Sequence, residues 1–422
     1  MAKEFYISRM DSKVADTIAA VQLALDKRLV KSVRTQRKVI CVPGCRDEII
    51  AGNISIKSLK HEYRYEDCSS SPSSINSRSL SIEGTYRIVD IRQEDAPLTN
   101  LRTQTLEGLR QPRNQKYLPS LLLWGDEGQQ LYDEIVRSKH YYPYRVESEL
   151  LKLKVGDIAR KIASTGSDVL LELGAGNMEK TGLILRHLDA LDTPLTYYAL
   201  DVDHTALEYA LKSLQDSLKL RNINLCALQG TYEDAAKWLA TSEEARGRKK
   251  TIAWLGNSIA NLEQGEAGDL LGRFSEAQGV ECLQGFIIGI DGCQDVSRIN
   301  KAYDIPGGAT RRWVRYALKA GRLQLGPEAD AVLHDDNWQW AAAWNPGNHR
   351  YENYLTARKT LTATIDGTMV KIEEGERLHT LSSGKWTRSD VDRMCSPQGL
   401  VLADIWSSPD VGYGIYWLQP AE

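Results

Sequence analysis

The chain contains 422 residues, a length that suggests two or three domains rather than a single core. Its 53 lysines and arginines nearly balance 56 aspartates and glutamates. The net charge of -3 therefore excludes the large basic excess typical of proteins that hold nucleic acid or an anionic membrane. The longest apolar runs are far shorter than the roughly 20 residues of a membrane-spanning helix. Seven scattered cysteines and an N-terminus without an apolar signal region favour a reducing, cytoplasmic location.

Residues 1–82 are predicted to be an N-terminal extension that ends in a flexible linker. Residues 66–82 contain eight serines and almost no large apolar side chain, so burial cannot offset the entropy cost of ordering them. Ahead of the linker, helical spacing of apolar residues predicts a helix at 14–33, and KVICV at 38–42 predicts a strand. The sequence leaves the oligomeric state open, and the extension is a candidate element for self-association.

The cysteines of the extension do not form a recognisable metal motif. Cys41 and Cys45 have an acceptable spacing for zinc, but His61 and Cys68 make an irregular second pair. Ordinary thiols are therefore favoured, and no metal site is predicted.

From residue 148 onward, strand and helix patterns alternate. Continuous apolar runs ending in glycine or acidic residues predict five strands, and amphipathic helical segments separate them. The strands are DVLLELGAG (168–176), LTYYALDVD (195–203), NLCALQG (224–230), TIAWLGNSI (251–259) and GFIIGID (285–291). Such alternation predicts a parallel, doubly wound α/β sheet. Ligands bind such sheets beyond the carboxyl ends of the strands, where GAG, DVD, QGTYED and GNSIAN would meet.

After about residue 295 this alternation stops. Residues 300–384 are rich in tryptophan and tyrosine, and alternating stretches such as KTLTATI and TMVKIEE predict antiparallel strands. The chain then returns to a helix (389–399) and two strand-like segments, VLADIWSS and YGIYWLQP. We therefore predict an insertion that caps the sheet, followed by two closing strands of the same sheet.

The first predicted strand runs into a glycine-rich turn that suits a nucleoside. Gly174 and Gly176 would let the backbone approach a ligand closely, and the following helix offers free N–H donors. Asp201 follows Gly176 by 25 residues, at the end of the next strand, where a carboxylate can accept hydrogen bonds from two ribose hydroxyls.

Nucleotide polyphosphates are disfavoured as the ligand. The pyrophosphate pattern would require glycine where the chain has Glu179, whose charge would repel a pyrophosphate. S-adenosylmethionine has a ribose and an adenine but no phosphate, and it carries a zwitterionic amino acid tail. The motif ELGAG with Asp201 at the second strand end suits this cofactor, and QGTYED would flank its adenine.

Seven motifs resemble a known family in sequence order. They are YRIVDIRQ (86–93), LPSLLLWGDEGQQLYDEIVRSKHYYPYRVE (118–147), ELGAGNMEKT (172–181), YYALDVD (197–203), QGTYEDA (229–235), WLGNSIANLE (254–263) and GERLHTLSSGKW (375–386). The family is the histidine-specific type of S-adenosylmethionine-dependent methyltransferase. It includes the hercynine-forming enzymes of ergothioneine biosynthesis and the fungal dimethylallyltryptophan N-methyltransferases. The resemblance covers 86–422 and leaves 1–82 outside.

The resemblance implies a Rossmann-like class I methyltransferase sheet with a second α+β substrate-binding domain. The N-terminal arm and the insertion would form this second domain, over 83–147 and 295–384. The methyltransferase domain would then comprise 148–294 and 385–422.

The resemblance also implies roles for individual residues around the cofactor. Gly174 and Lys180 would contact its amino acid tail, and Lys180 would supply the charge for its carboxylate. Asp201 would hold the ribose, while Thr231 and Tyr232 would line the adenine. Position 231 is commonly acidic in the family, so the contact from Thr231 would be weaker.

For the substrate, the resemblance implies that Tyr141, Asn261 and Tyr303 contact the amine and the carboxylate. Trp124, Tyr142, Leu381 and Ser383 would line the rest of the pocket.

Two departures from the family pattern make this pocket more apolar. In the histidine enzymes a glutamate stands at the position of Leu381 and faces the imidazole together with the serine equivalent to Ser383. Leucine cannot accept a hydrogen bond, and burying an unmatched imidazole N–H costs about 1–3 kcal/mol. Trp124 replaces a common tyrosine. The sequence therefore argues for a larger or more apolar amine than free histidine.

The predicted function is that of an S-adenosylmethionine-dependent N-methyltransferase in fungal-type secondary metabolism. Its substrate would be the α-amine of an aromatic or alkaloid-type amino acid derivative, and no general base is evident. A histidine methyltransferase of the hercynine type is the nearest alternative. A non-catalytic methyltransferase fold that binds a partner is an alternative of another class.

Overall fold

The computed structural model describes residues 86–93, 100–277, 282–305 and 308–421, together with the backbone of three short strands nearer the N-terminus. The chain divides into two units, Met1–Ser74 and Ile75–Glu422. In the first unit, β1 (Val39–Ile40) pairs antiparallel with β2 (Ile49–Ile50), and β1 lies within the strand predicted at 38–42. The helix predicted at 14–33 and the four residues considered for zinc lie outside the described residues.

The second unit is built on a nine-stranded sheet. Its strands are β3 (Ser79–Leu80), β4 (Tyr86–Asp90), β5 (Val169–Leu173), β6 (Leu195–Asp201), β7 (Ile223–Gln229), β8 (Lys250–Trp254), β9 (Leu283–Ile290), β15 (Leu400–Ser407) and β16 (Gly414–Pro420). The spatial order is β15-β16-β9-β8-β5-β6-β7-β4-β3. The strands from β9 to β4 are parallel, while β3, β15 and β16 pair antiparallel with their neighbours. This arrangement confirms the predicted Rossmann-like sheet and its two closing strands.

Helices connect the strands and form the caps. They are α1 (Leu101–Arg110), α2 (Asp126–Arg137), α3 (Tyr142–Ser164), α4 (Glu179–Ala190), α5 (His204–Leu218), α6 (Tyr232–Thr241), α7 (Gln264–Glu276), α8 (Val296–Tyr303), α9 (Ala309–Leu325), α10 (Asp330–Leu333) and α11 (Arg388–Cys395). Short 3-10 helices lie at Ser120–Trp124 and Ser258–Asn261. Several helix starts are fixed by local capping; for example, the Asp203 carboxylate accepts from two backbone N–H groups at the start of α5.

Apolar side chains bury both faces of the sheet. In β5, Leu170 belongs to one core cluster, whereas Val169, Leu171 and Leu173 belong to the other. This alternation follows from the two-residue period of a strand, which sends successive side chains to opposite faces. Both faces are therefore covered, and functional groups can reach a ligand mainly at the strand ends.

The N-terminal boundary differs from the predicted one. β3 lies inside the predicted linker, and it pairs with β4. β4 itself falls in the arm that was assigned to the substrate domain, yet it pairs in parallel with β7 and extends the large sheet. The physical reason is that an edge strand offers unpaired backbone N–H and C=O groups, and the apolar residues of YRIVD are suited to cover that edge.

The insertion contains the predicted antiparallel strands. β10 (Trp338–Asn345), β11 (Arg350–Ala357) and β14 (Arg377–Gly384) form a three-stranded sheet in that order. β12 (Leu361–Ile365) and β13 (Thr368–Ile372) form a hairpin. Asp366 and Gly367 at its tip both have positive φ, as a tight hairpin turn requires. β14 contains HTLSSG of the motif GERLHTLSSGKW and packs against the 3-10 helix Ser258–Asn261.

Among the described residues, no helix combines the length and the apolar character needed to cross a membrane.

Candidate active site

Four loops meet at the carboxyl edge of the sheet, after β5, β6, β7 and β8. β6 and β8 flank β5, so the chain leaves β5 in opposite directions and opens a crevice at this point. Gly174 begins the first loop with φ of +69°, and a Cβ there would lie 3.1 Å from the Tyr232 hydroxyl. Glycine is required at this position because both the backbone angle and the close approach disfavour a side chain.

Asp201 ties the first two loops together. Its carboxylate accepts from the Gly176 N–H at 3.1 Å and from the Val202 N–H at 2.8 Å. Burial raises the pKa of Asp201, and these backbone hydrogen bonds work against that rise. The acceptor predicted to hold a ribose is thus fixed at the strand end by the glycine-rich turn itself.

Lys180, in the first turn of α4, is held by a carboxylate from another element. Its ammonium donates to Glu147 of α3, whose side chain is fully buried, and the second Glu147 oxygen accepts from the Gly256 N–H at 2.7 Å. Burial alone would lower the pKa of Lys180, but Glu147 outweighs it and the net pKa is raised. The cation predicted to face the cofactor carboxylate is therefore charged at neutral pH.

Glu172 lies in β5, two residues before Gly174 of the glycine-rich turn. It accepts hydrogen bonds from the Thr181 and Tyr197 hydroxyls and is almost fully buried. Burial raises its pKa to about 7, although these hydrogen bonds oppose the change. Glu172 therefore titrates near neutral pH and links β5, α4 and β6.

The third loop starts α6. Thr231 caps the helix: its hydroxyl and its N–H both bond to Asp234, which closes a capping box. The Tyr232 ring contacts the Trp254 ring edge-on at 4.7 Å between centroids. Tyr232 is thus brought next to Gly174, whereas the Thr231 hydroxyl is already used in the cap. Their assignment to the adenine stays a prediction.

A continuous series of aromatic rings connects the arm to the insertion. Centroid distances are 5.2 Å for Trp124–Tyr132, 5.1 Å for Tyr132–Trp313, 6.5 Å for Tyr132–Tyr141, 5.7 Å for Tyr141–Tyr303 and 4.8 Å for Tyr303–Tyr351. Burial, together with Tyr132 and Tyr303, raises the pKa of Tyr141 well above its ordinary value. Tyr141 therefore stays neutral and can donate its hydrogen.

The Tyr303 hydroxyl belongs to a buried polar network. It lies 2.8 Å from the Ser383 hydroxyl and 2.8 Å from the Lys385 ammonium. Lys385 also forms an ion pair at 3.1 Å with Asp291, and both side chains are fully buried. Asp291 in turn accepts from the Tyr142 hydroxyl at 2.7 Å.

The predicted pocket residues are distributed unevenly around this network. Tyr141, Tyr303 and Ser383 lie together, and Leu381 is buried two residues before Ser383 on β14. Tyr142 reaches the network indirectly, because its hydroxyl is committed to Asp291. The proposed substrate roles of all five stay predictions.

Asn261 ends the 3-10 helix Ser258–Asn261. Its backbone carbonyl oxygen accepts a hydrogen bond from the Arg350 guanidinium at 3.1 Å. A different amide, Asn257, contacts the network: its Nδ2 lies 3.3 Å from the Ser383 hydroxyl, and its oxygen accepts from the Asp291 N–H at 2.8 Å. The structure therefore adds Asn257 to the site, while a substrate contact from Asn261 stays a prediction.

Four charged or polar members of the site were not predicted from the sequence. They are Glu147, Asn257, Asp291 and Lys385. Glu147 and Asp291 end the quoted segments YYPYRVE and GFIIGID, whereas Asn257 and Lys385 lie inside WLGNSIANLE and SSGKW. A charged residue inside an otherwise apolar stretch was the available signal, since burial of such a group requires a partner.

Comparison with known proteins identifies the family. A family model described as histidine-specific, S-adenosylmethionine-dependent methyltransferase matches residues 101–420. The chain is 36% identical over 330 residues to the N-methyltransferase imqF of Aspergillus flavus, covering 78% of this chain and 87% of that protein. It is 28% identical over 348 residues to the 4-dimethylallyltryptophan N-methyltransferase easF of Claviceps purpurea, and the match covers 79% of this chain and 98% of that protein.

A third relative is ergothioneine biosynthesis protein 1 of Neurospora crassa, with 28% identity over 334 residues. The match covers 78% of this chain but 36% of that longer protein.

The chain belongs to the histidine-specific, S-adenosylmethionine-dependent methyltransferase family. It is an N-methyltransferase that uses S-adenosylmethionine, and this leaves the non-catalytic alternative without support. The residues at the crevice are chemically compatible with the cofactor, because the Asp201 carboxylate is an acceptor held at the strand end and Lys180 is a buried cation. Their contacts with the ribose and with the amino acid tail stay predictions.

Proposed function

We propose that this family member methylates the α-amine of an aromatic or similarly apolar amino acid, or of a small molecule derived from one, in fungal-type secondary metabolism. The observation that carries the proposal is the position of Leu381, a buried apolar residue on the strand that brings Ser383 to Tyr303. The relative named for N-methylation of 4-dimethylallyltryptophan supports the same class of substrate.

Cofactor binding is assigned to the crevice residues. Gly174, Gly176 and Lys180 would hold the amino acid tail, Asp201 the ribose, and Tyr232 with Thr231 the adenine. S-adenosylmethionine supplies a methyl group that its sulfonium has already activated. The remaining work of the protein is to bring a neutral amine into line with that methyl group, which is catalysis by positioning.

The substrate is assigned to the part of the arm that follows β4, up to residue 147, and to the insertion over 295–384. Tyr141, Asn261 and Tyr303 would orient its amine and carboxylate, since hydroxyl and amide groups can fix the nitrogen lone pair and stabilise developing charge. Trp124, Tyr142, Leu381 and Ser383 would surround its side chain. This apolar setting supports an aromatic substrate, and aromatic faces would also favour a methylated cation.

We place the enzyme in the cytoplasm, because the few scattered cysteines suit a reducing compartment. We assign self-association, if the enzyme oligomerises, to the N-terminal extension. Neither nucleic acid nor membrane is expected as a partner, given the balanced charge.

The test is calorimetric titration of the purified protein with S-adenosylhomocysteine, followed by amino acids and indole derivatives added to the saturated complex. Methyl transfer from S-adenosylmethionine to each ligand is then measured. An aromatic amino acid that binds second and is methylated supports the proposal.

Histidine binding most tightly would instead favour the hercynine-type alternative, which the family description keeps open. Absence of cofactor binding would contradict the assignment of the crevice residues.

A further inference from the structure

An open cavity of about 420 Å³ lies beside α3 and α8. Four basic side chains line it: Lys139 from the segment before α3, Arg145 from α3, and Arg298 and Lys301 from α8. Its volume falls within the range of roughly 300–1,000 Å³ that is usual for small-molecule sites. The two chain segments are far apart in sequence, so the tertiary structure alone brings these four cations together.

The charge of the cavity is not balanced from within. Asp295 is the only acidic side chain among the described residues that line it. The Asp295 carboxylate caps α8, where it accepts from the Ser297 N–H at 2.9 Å and from the Arg298 N–H at 3.1 Å. Acidic residues outnumber basic ones in Ile75–Glu422 as a whole, so the cavity reverses the charge of the unit that contains it.

The two arginines are held in place by backbone oxygens. The Arg145 guanidinium donates to the Lys139 carbonyl at 3.2 Å and lies 4.0 Å from the Glu149 carboxylate. The Arg298 guanidinium donates to the Asp410 carbonyl at 3.4 Å. Because a guanidinium has five N–H donors, these contacts orient each group and still leave donors for a ligand.

The two lysines differ from other exposed cations of the same unit. On α9, Arg311, Arg312 and Lys319 each form an ion pair with a carboxylate. Lys139 and Lys301 are exposed and make no ion pair with another residue in the part of the chain that the structure describes. Their ammonium groups are therefore available to an anion from solution.

We propose that this cavity is a second binding site, for a small soluble molecule that carries two or more phosphate groups. The planar forks of the arginines match the geometry of phosphate oxygens, and the lysines add point charges. One phosphate monoester carries about -1.5 to -2 charges at neutral pH, so four cations match at least two such groups. A concave wall of like charge also concentrates anions from solution.

This cavity is distinct from the cofactor crevice, because none of the residues assigned to S-adenosylmethionine lines it. Among the residues assigned to the substrate, Tyr142 lines it, but the Tyr142 hydroxyl is committed to Asp291. The inference does not depend on the proposed function. The phosphorylated ligand should therefore bind whether or not the cofactor is present.

The experiment is calorimetric titration of the full chain with inorganic phosphate, pyrophosphate and tripolyphosphate, each with and without saturating S-adenosylhomocysteine. Arg298→Gln with Lys301→Gln removes two cations from the cavity, and Lys139→Gln removes one from the other chain segment. The matched control is Lys152→Gln with Arg160→Gln, which removes the same charge from exposed positions of α3 outside the cavity. Affinity for S-adenosylhomocysteine verifies that each variant is folded.

We expect one tripolyphosphate per chain, bound at least about tenfold more tightly than inorganic phosphate. The Arg298–Lys301 double variant should weaken this binding at least about tenfold and Lys139→Gln at least about threefold, because each change removes charge-assisted hydrogen bonds. The control variant should stay within about twofold of the wild type, and so should every variant in its affinity for S-adenosylhomocysteine.

Absence of tripolyphosphate binding at low salt would overturn the inference. An equal loss in the control variant would do so too, since it would reduce the effect to net charge. Equal affinity for phosphate and tripolyphosphate would refute the requirement for more than one phosphate group. Competition with S-adenosylhomocysteine would assign the phosphate binding to the crevice instead of this cavity.

Discussion

At the scale of single residues, Asp201 has a structural role in the glycine-rich turn and a proposed role in binding the cofactor. Its carboxylate anchors the Gly176 N–H, and its position at the end of β6 suits ribose hydroxyl groups. We expect Asp201→Ala to weaken S-adenosylhomocysteine binding by at least about 100-fold, because hydrogen bonds to a charged acceptor contribute about 1.5–3 kcal/mol each. Calorimetry measures this loss.

Asp201→Asn separates the two roles, since it keeps an acceptor for Gly176 but removes the charge, and its affinity should fall between those of the wild type and the alanine variant. Asp216→Ala, at an exposed position of α5, is the matched control and should bind like the wild type. Unchanged affinity in Asp201→Ala would refute the ribose assignment.

Leu381 tests the choice between an aromatic substrate and histidine. Leu381→Glu restores the acidic residue of the histidine enzymes, and a carboxylate can accept the imidazole N–H that leucine leaves unmatched. We expect the ratio of histidine to tryptophan activity to rise about tenfold or more, in line with about 1–3 kcal/mol per satisfied buried group. Kinetics with both amino acids measure the ratio.

Leu381→Met, which conserves volume and polarity, is the control and should leave that ratio unchanged. If Leu381→Glu also leaves it unchanged, the segment HTLSS does not face the substrate side chain.

Glu172 makes the stability of the protein depend on pH. Its pKa in the folded protein is about 7, above the ordinary 4.5, so the folded state binds a proton more tightly than the unfolded state. The resulting stabilisation is complete below pH 4.5 and is lost as the pH rises through 7. Glu172→Gln mimics the protonated form, and its amide can still meet the Thr181 and Tyr197 hydroxyls.

The free energy of unfolding of Glu172→Gln, relative to the wild type, should therefore improve by up to about 3 kcal/mol between pH 5 and pH 8. Urea unfolding at the two pH values measures it. Glu149→Gln, at an exposed glutamate of α3, should show no such change. A pH-independent difference for Glu172→Gln would contradict the assignment of a raised pKa.

At the scale of elements, α3 connects the two halves of the site. Its first residue, Tyr142, donates a hydrogen bond to Asp291, directly after β9. One and a half turns later, Glu147 reaches Lys180 and the Gly256 N–H at the cofactor crevice. A single helix therefore contacts both the buried polar network around Tyr303 and the predicted cofactor cation.

Variants of the Glu147–Lys180 ion pair distinguish its effect on stability from its effect on cofactor binding. Lys180→Met leaves the buried Glu147 carboxylate without its cation, which should cost about 3–5 kcal/mol of stability. Adding Glu147→Gln removes the unpaired charge, so the double variant should recover most of that stability. Its affinity for S-adenosylhomocysteine should stay low, because the cation for the carboxylate is still missing.

Urea unfolding and calorimetry measure the two properties. Recovery of cofactor affinity in the double variant would show that Lys180 acts through the fold alone. The single variant Glu147→Gln is the control that completes the double-mutant cycle.

Most elements were predictable because their signals are local. The strand DVLLELGAG and the helices around it follow from apolar periodicity, and β5 to β9 are where the sequence places them. β3 and β4 were assigned to a linker and to the other domain. Their place in the sheet depends on the free edge of β7, which no local pattern reveals.

At the scale of the whole molecule, the catalytic unit is contained in the C-terminal four-fifths of the chain. The second unit begins at Ile75, and the family match spans 101–420. We expect a chain that lacks residues 1–74 to retain kcat/KM within about twofold, since its core and its site residues all lie in the second unit. A loss of more than about tenfold would assign the extension a part in the site.

Light scattering on the same two proteins tests the assignment of self-association. A full chain that is oligomeric and a shortened chain that is monomeric would support it. The same oligomeric state in both would contradict it.

The sequence by itself determined the class of the protein. Apolar periodicity predicted the doubly wound sheet, and ELGAG with Asp201 at the next strand end predicted S-adenosylmethionine, because both depend on residues close in sequence or on a fixed strand spacing. Only the tertiary structure decided which distant charges meet. Glu147 with Lys180, and Asp291 with Lys385, are pairs separated by many residues, and their partners are set by how α3, β14 and the strand ends pack. Buried charges need partners, but the sequence gives no distance between them, and packing supplies it.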